Sequence, residues 1–203
     1  MNEIPRFMST QEKTCCPCKT AILLLLSGLM LALGACQSSR SLSDRMESKY
    51  SLKKRKTYIS CTHSESMARC DLPVRVPRRS YSRMLESIEE LKGTRYRYGG
   101  TTHEGFDCSG FVQYLYSCSF QMQLPRSSSE LALLGELVPR NKLQAGDLVF
   151  FSSGKGIVDH VGIYLGKERF AHASLTEGIT TSSLEQRYYD SRFAFGTKII
   201  MVK

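Results

Sequence analysis

The stretch Tyr96-Arg97-Tyr98-Gly99-Gly100 running into Phe106-Asp107-Cys108-Ser109-Gly110-Phe111-Val112 constrains this chain more than any other. Two adjacent glycines permit a sharp loop, and Asp107-Cys108-Ser109 then opens a run with Phe111, Val112 and Leu115 at helical spacing. The reading is a loop that feeds a helix whose first turn carries a cysteine. Backbone N–H groups and the macrodipole at a helix N-terminus favour negative charge, so the Cys108 thiol is expected to have a pKa lowered toward neutrality. Cys108 is therefore a candidate nucleophile, against the plainer role of a small buried side chain. Its own backbone N–H is the natural donor to an oxyanion formed beside it.

Two later stretches supply possible partners. Asp159-His160-Val161-Gly162-Ile163-Tyr164-Leu165-Gly166 alternates as a strand does, with Val161, Ile163 and Leu165 on one face and His160 on the other. After a short turn at Gly166-Lys167-Glu168, Arg169-Phe170-Ala171-His172-Ala173-Ser174 places His172 on the other strand of a hairpin. One cysteine and two strand histidines read as a thiol nucleophile, an imidazole base and a group that orients the base. Asp107 and Ser109 flank the nucleophile and are candidates for contacting a substrate; the competing role for Asp107 is to cap the helix. His103, isolated in a polar loop, reads as solvated, and Tyr98 and Arg126 read as structural.

Tyr-Arg-Tyr-Gly-Gly, Asp-Cys-Ser-Gly-Phe-Val, Leu124-Pro125-Arg126, Gly146-Asp147-Leu148-Val149-Phe150-Phe151, His160-Val161-Gly162-Ile163-Tyr164 and His172-Ala173-Ser174 follow one another in a fixed order. In this the chain resembles the NlpC family of papain-like cell-wall cysteine peptidases, from Tyr81 to the C-terminus. The resemblance implies a papain-like fold with Cys108, His160 and His172 as the catalytic set, and it points the Tyr96 hydroxyl into the same site. It also implies a substrate, the peptidoglycan stem peptides, cut next to diaminopimelate within a stem or across a crosslink, with no cofactor.

The element pattern is compatible with that fold. Met84, Leu85, Ile88 and Leu91 recur at helical spacing over Tyr81 to Lys92, ending at Gly93, which suits a C-cap. Ser127 to Leu134 reads as a short helix, Asn141 to Gly146 as a turn, Leu148 to Phe151 as a buried strand, and Arg192 to Val202 as a last strand. Helices first and strands after make an α+β domain, with N-terminal helices packed on a central antiparallel sheet.

The formal net charge of +9 raises the question of nucleic acid, and its location answers it. Lys and Arg against Asp and Glu number 3 and 2 over residues 1–36, 11 and 4 over 37–80, and 14 and 13 over 81–203. A nearly neutral globular portion behind a basic lead-in suits a tether near an anionic surface better than a nucleic-acid reader.

Residues 1–35 read as a secretory leader. Arg6, Lys13 and Lys19 precede the apolar run Ala21 to Leu33, too short for the ~20 residues of a spanning helix. Leu33-Gly34-Ala35-Cys36 resembles a bacterial lipobox, which implies cleavage before Cys36, lipid on that cysteine and a membrane-anchored protein. Gln37, in place of an inner-membrane retention aspartate, leans toward the outer membrane, facing the periplasm. Cys15, Cys16 and Cys18 have no second ligand pair, so no metal site is assigned.

Residues 36–80 are Ser-rich and basic, and are expected to form a mostly disordered tether. Cys61 and Cys70 would pair in an oxidising compartment, with Cys118 as the alternative partner. Cys118 itself reads as a buried core thiol. Residues 81–203 are the catalytic domain. Two rival functions carry the same motifs: acyl transfer or amide hydrolysis on lipid by the same thiol, and a catalytically silent envelope binding module. The intact Cys108, His160 and His172 favour an enzyme.

Overall fold

The computed structural model describes residues 50, 51, 54–63, 66–154 and 156–203. Its centre is a six-stranded sheet, every neighbouring pair antiparallel. In spatial order the strands are β11 (Gly178–Ser183), β10 (Arg169–Ser174), β9 (His160–Gly166), β8 (Leu148–Phe151), β12 (Phe193–Lys198) and β7 (Glu136–Val138). Leu148 to Phe151 is buried at every position, as its unbroken apolar run requires. The expected antiparallel sheet and the His160 and His172 hairpin are both present, and the domain is α+β.

Helix α1 (Arg78–Leu91) buries Met84, Ile88 and Leu91, one apolar stripe at spacings of four and three. Gly93 follows with φ +79°, the left-handed conformation that ends helices. Helix α2 (Cys108–Phe120) buries Cys108, Val112, Leu115, Tyr116 and Ser119 against the sheet. Helix α3 (Ser128–Leu131) carries a complete capping box, Ser127 with Glu130. The short strands β4 (Thr101–Thr102) and β5 (Gly105–Phe106) form a hairpin between α1 and α2, and β6 (Met122–Gln123) follows α2.

The expected disordered tether is corrected between Tyr58 and Ser80. Strands β1 (Tyr58–His63) and β2 (Ser66–Asp71) form a hairpin that extends to β6, and β3 (Val74–Val76) pairs in parallel with β13 (Ile200–Val202). Ile59 and Cys61 are buried, and Cys61 and Cys70 form a disulfide. Ahead of the hairpin, Arg55 acts as a clamp. Its guanidinium donates to the carbonyls of Gly135 at 2.6 Å, Ala132 at 2.9 Å and Leu134, closing the open end of α3. Burial pulls the Arg55 pKa down to about 10. Tyr50 is buried against Phe195, its hydroxyl accepting from the Val158 N–H at 3.1 Å.

Three smaller expectations also change. The last strand divides at Ile199 into β12 and β13, which belong to different sheets. Cys118 is exposed, not buried. On a helix of 100° per residue it stands well round from the Val112, Leu115, Ser119 stripe, one turn on from Tyr114. Helix α1 begins at Arg78, directly after Pro77, so residues 78–80 belong to the folded domain. Cys36, the expected leader and Cys15, Cys16 and Cys18 lie outside the described residues. Among the described residues, no helix is long and apolar enough to cross a membrane.

Candidate active site

Asp107 builds the nucleophile's side of the site. It caps α2 by accepting from the Gly110 N–H at 2.7 Å, and its other oxygen accepts from the Gly99 N–H at 2.9 Å. Arg126 grips the same carboxylate with both terminal nitrogens, at 2.6 and 3.0 Å, and donates to Ser109 Oγ at 2.9 Å. Burial would raise the Asp107 pKa, but the hydrogen bonds from Arg126 and Gly110 outweigh it and hold the carboxyl below its usual range. Gly110 is required by packing: a Cβ there would lie 2.1 Å from the Gly100 carbonyl oxygen, which itself accepts from the Asp107 N–H. Loop and helix start are thus locked together, and Cys108 is placed at the first helical position, 7% exposed.

The N–H groups of Val161, Ser109 and Cys108 itself lie near the sulfur and favour its charged form. Val161 directly follows His160, so α2 and β9 meet at the thiol. The expected fall of the Cys108 pKa toward neutrality is corrected. Burial pushes the thiol up, the nearby Asp107 carboxylate adds to it, and the three N–H groups do not cancel the rise.

The histidines stand on the neighbouring strands β9 and β10. Continuing the register of Phe170 with Tyr164 and Ala171 with Ile163 sets His172 opposite Gly162, one diagonal step from His160 on the same face. A Cβ on Gly162 would lie 2.6 Å from the Phe170 ring and 3.3 Å from the His172 Cβ, so this glycine keeps that face open between the two imidazoles. His160 Nε2 and His172 Nδ1 are 3.0 Å apart. This leaves Nδ1 of His160 for the thiol, the division of labour a base and its orienting partner need. His172 is 1% exposed and stacks on Phe170. Burial lowers the His160 pKa to about 4, against the pull of Asp159, and lowers that of His172 to about 3, with the charge of His160 adding to the effect.

His172 Nε2 in turn meets Ser182 Oγ at 2.9 Å and the Tyr189 hydroxyl at 3.2 Å. Ser182, on β11, and Tyr189, on helix α4 (Arg187–Asp190), escaped the sequence reading, because neither carries a motif. Arg126, read there as structural, proves to be the ionic partner of Asp107.

A cavity of about 580 Å³ opens on this face, lined among others by Tyr96, His160, His172, Tyr188, Tyr189 and Arg192. Tyr96 is also near Cys108: burial, then the thiolate and Asp107, push its phenol up. The structure therefore brings Cys108, His160, His172, Tyr96, Asp107 and Ser109 to one place. Tyr98, 91% exposed, stands apart. His103 is tied to Tyr114, 2.7 Å from its hydroxyl. Among the described residues, no group of three or more His, Cys, Asp or Glu side chains could hold a metal ion.

A buried thiol at a helix N-terminus, a histidine pair on the facing antiparallel strands and backbone donors at the sulfur define an acyl-transfer site of the cysteine–histidine class. Residues 93–197, over half of the chain, match the NlpC/P60 family, and the chain belongs to that family. It is 41% identical over 119 residues to the murein DD-endopeptidase MepS/murein LD-carboxypeptidase of Escherichia coli, covering 59% of this chain and 63% of that protein. The match thus spans less than two thirds of that relative's length. A probable endopeptidase NlpC of the same species is 42% identical over 109 residues, covering 53% of this chain and 71% of that protein. Among solved structures, an NlpC/P60 family protein from Bacillus cereus superposes with a TM-score of 0.56 at 27% identity, covering 68% of this chain and 46% of that one.

Proposed function

We propose that this protein is a cysteine peptidase that hydrolyses amide bonds next to diaminopimelate in peptidoglycan stem peptides or their crosslinks. The observation that carries the reading is the 3.0 Å contact of His160 Nε2 with His172 Nδ1, in a site where the N–H of the next residue, Val161, favours the charged form of the Cys108 thiol. His160 takes the thiol proton as the sulfur attacks the amide carbonyl, forming the carbon–sulfur bond. The tetrahedral oxyanion is met by the Cys108 N–H. Collapse expels the amine, which takes the proton from His160 and leaves a thioester, and water then cleaves the thioester to restore the thiol. The pKa order, thiol raised and imidazole about 4, makes the resting pair neutral, so proton transfer accompanies attack and does not precede it. Tyr96, which lines the cavity, is assigned to substrate contact, whereas Ser109 is buried and bonded to Asp107 and Arg126, which supports a role in holding the helix start. Asp107 acts through the cap and Arg126.

The murein endopeptidase names of the Escherichia coli relatives support this substrate class. Cys36 and the leader ahead of it support a lipid anchor, with outer-membrane placement facing the periplasm. No cofactor enters the reaction as written.

The test is mass spectrometry of muropeptides incubated with the purified protein and, in parallel, with its Cys108→Ala variant. New fragments that depend on the thiol, with masses that name the bond, are the expected result. Intact muropeptides, with Cys108 still selectively alkylated, would reject the peptidase and favour acyl transfer.

A further inference from the structure

Two histidines joined by one N···N hydrogen bond have two neutral arrangements, and only one is useful. In the first, His160 Nε2–H donates to His172 Nδ1; Nδ1 of His160 is bare and accepts the thiol proton. In the second, His172 Nδ1–H donates to His160 Nε2; His160 then carries its proton on Nδ1 and has nothing left with which to deprotonate Cys108. The first arrangement puts the His172 proton on Nε2, inside a residue that is 1% exposed, where an N–H without an acceptor is costly. The choice between them is therefore made at His172 Nε2, on the side away from the thiol.

We propose that Ser182 and Tyr189 are positioning residues that select the base-competent tautomer of the His160–His172 pair. The inference rests on the peptidase reading above for its kinetic consequence and on geometry alone for the rest. Their oxygens lie 2.9 and 3.2 Å from His172 Nε2 and offer the N–H two acceptors. A single Nε2–H can be shared between both oxygens, whereas a bare Nε2 has one lone pair and could accept from only one of the two hydroxyls, so the presence of two oxygens at this nitrogen favours the protonated Nε2.

The fold places both deliberately. In the β10–β11 register His172 faces Thr180 and Phe170 faces Ser182, so Ser182 is one diagonal step from His172. His160, His172 and Ser182 thus form one diagonal across three antiparallel strands. Tyr189 comes from α4 and packs against Phe151, Phe170 and His172 at ring distances of 5.5, 4.9 and 5.3 Å. The next residue, Asp190, is held by Arg140, which also binds Glu168 at 2.9 Å, so the helix that delivers the phenol is tied down from outside the site. Among the described residues no carboxylate is hydrogen-bonded to His172, so these two dipoles occupy the position where an acid would otherwise sit.

The experiment compares the protein with Ser182→Ala, Tyr189→Phe and the double variant, by nitrogen NMR of labelled histidines and by kinetics on stem peptides. Both replacements keep the packing shape and remove only hydroxyls. The single changes are expected to lower kcat about 2–5-fold and the double change about 30-fold or more, KM staying within about twofold, the size of a general-base defect. In the double variant the His160 proton moves from Nε2 to Nδ1, and Ser182→Thr in the Tyr189→Phe background restores the tautomer and returns the rate to that of the Tyr189→Phe protein. A double variant that keeps the native tautomers overturns the proposal, as does a proton that moves with kcat unchanged in a protein that cuts stem peptides. The tautomers and the alkylation rate of Cys108 need no substrate. If the native protein cuts no stem peptide while the double change still moves the proton and slows alkylation, the substrate assignment fails and the tautomer selection stands.

Discussion

The two halves of the site are held by opposite means. On the thiol side a full ion pair does the work: Asp107, 10% exposed at its side chain, is clamped by Arg126 and caps the helix that presents Cys108. On the histidine side, among the described residues, no charged group is hydrogen-bonded to either imidazole, and Asp159 acts on His160 only through its field. His160 and His172 are fixed by a diagonal strand register, by stacking on Phe170 and by the hydroxyls of Ser182 and Tyr189. The contrast shows charge placed where it anchors backbone and withheld from the path along which a proton must move. A carboxylate at His172 would stabilise imidazolium at rest; neutral dipoles leave the imidazole uncharged until the thiol gives up its proton.

Breaking either half should give different signatures. The largest effect is at the reacting atoms: Cys108→Ala should abolish muropeptide cleavage, a loss of about 10⁴-fold or more, and His160→Gln should cost about 10³-fold, both with the fold intact by circular dichroism. Next comes the ion pair. Arg126→Met leaves Asp107 with the Gly99 and Gly110 N–H groups and the Ser109 hydroxyl as donors, and should lower unfolding stability by about 1–2 kcal/mol, a figure reduced from that of a fully buried pair because the Arg126 side chain is 40% exposed. Chemical denaturation measures it. The corresponding loss on the histidine side should appear in kcat and not in stability.

Acid separates the halves further. Asp107 has a folded pKa below its unfolded one, so its contribution is complete above the ordinary carboxylate range and fades as pH falls through the lowered value. The histidines act at higher pH. Their folded pKa values, about 4 and about 3, lie under 6.5, so the unfolded chain takes up protons first, and stability falls from pH 6.5 downward until about pH 4 and below. Thermal unfolding followed against pH should show the histidine loss first, and His172→Asn should remove part of it. The smallest effect on activity belongs to the outlying hairpin. Replacing Cys61 and Cys70 by Ala should cost about 2–3 kcal/mol of stability through loop-closure entropy while kcat stays unchanged.

Cys108 at a helix start and His160 and His172 on a hairpin were legible because their signals are local: a capping residue before an apolar helical run, and period-two alternation on both strands. The Tyr58–Asp71 hairpin was not, because its second strand is Ser-Met-Ala-Arg-Cys-Asp, without a continuous apolar face, and its stability comes from a disulfide and from pairing with Met122 and Gln123 about sixty residues on. Arg126 and Asp107 are nineteen residues apart, and Ser182 and Tyr189 reach His172 only through sheet register and a four-residue helix. The raised thiol pKa lay outside the sequence altogether: position on the helix suggested a fall, and burial, a tertiary property, reversed it.

The neutral resting pair is the claim most directly open to measurement. Titration of the ultraviolet thiolate absorbance, taken as the difference between the Cys118→Ser protein and its Cys108→Ala counterpart, reports Cys108 alone. The expected result is no thiolate signal at neutral pH and a signal that appears only in the alkaline range, above the ordinary thiol pKa. A full thiolate signal at neutral pH that disappears only on strong acidification would mean a preformed thiolate–imidazolium pair, and would contradict the uncharged relay at its base.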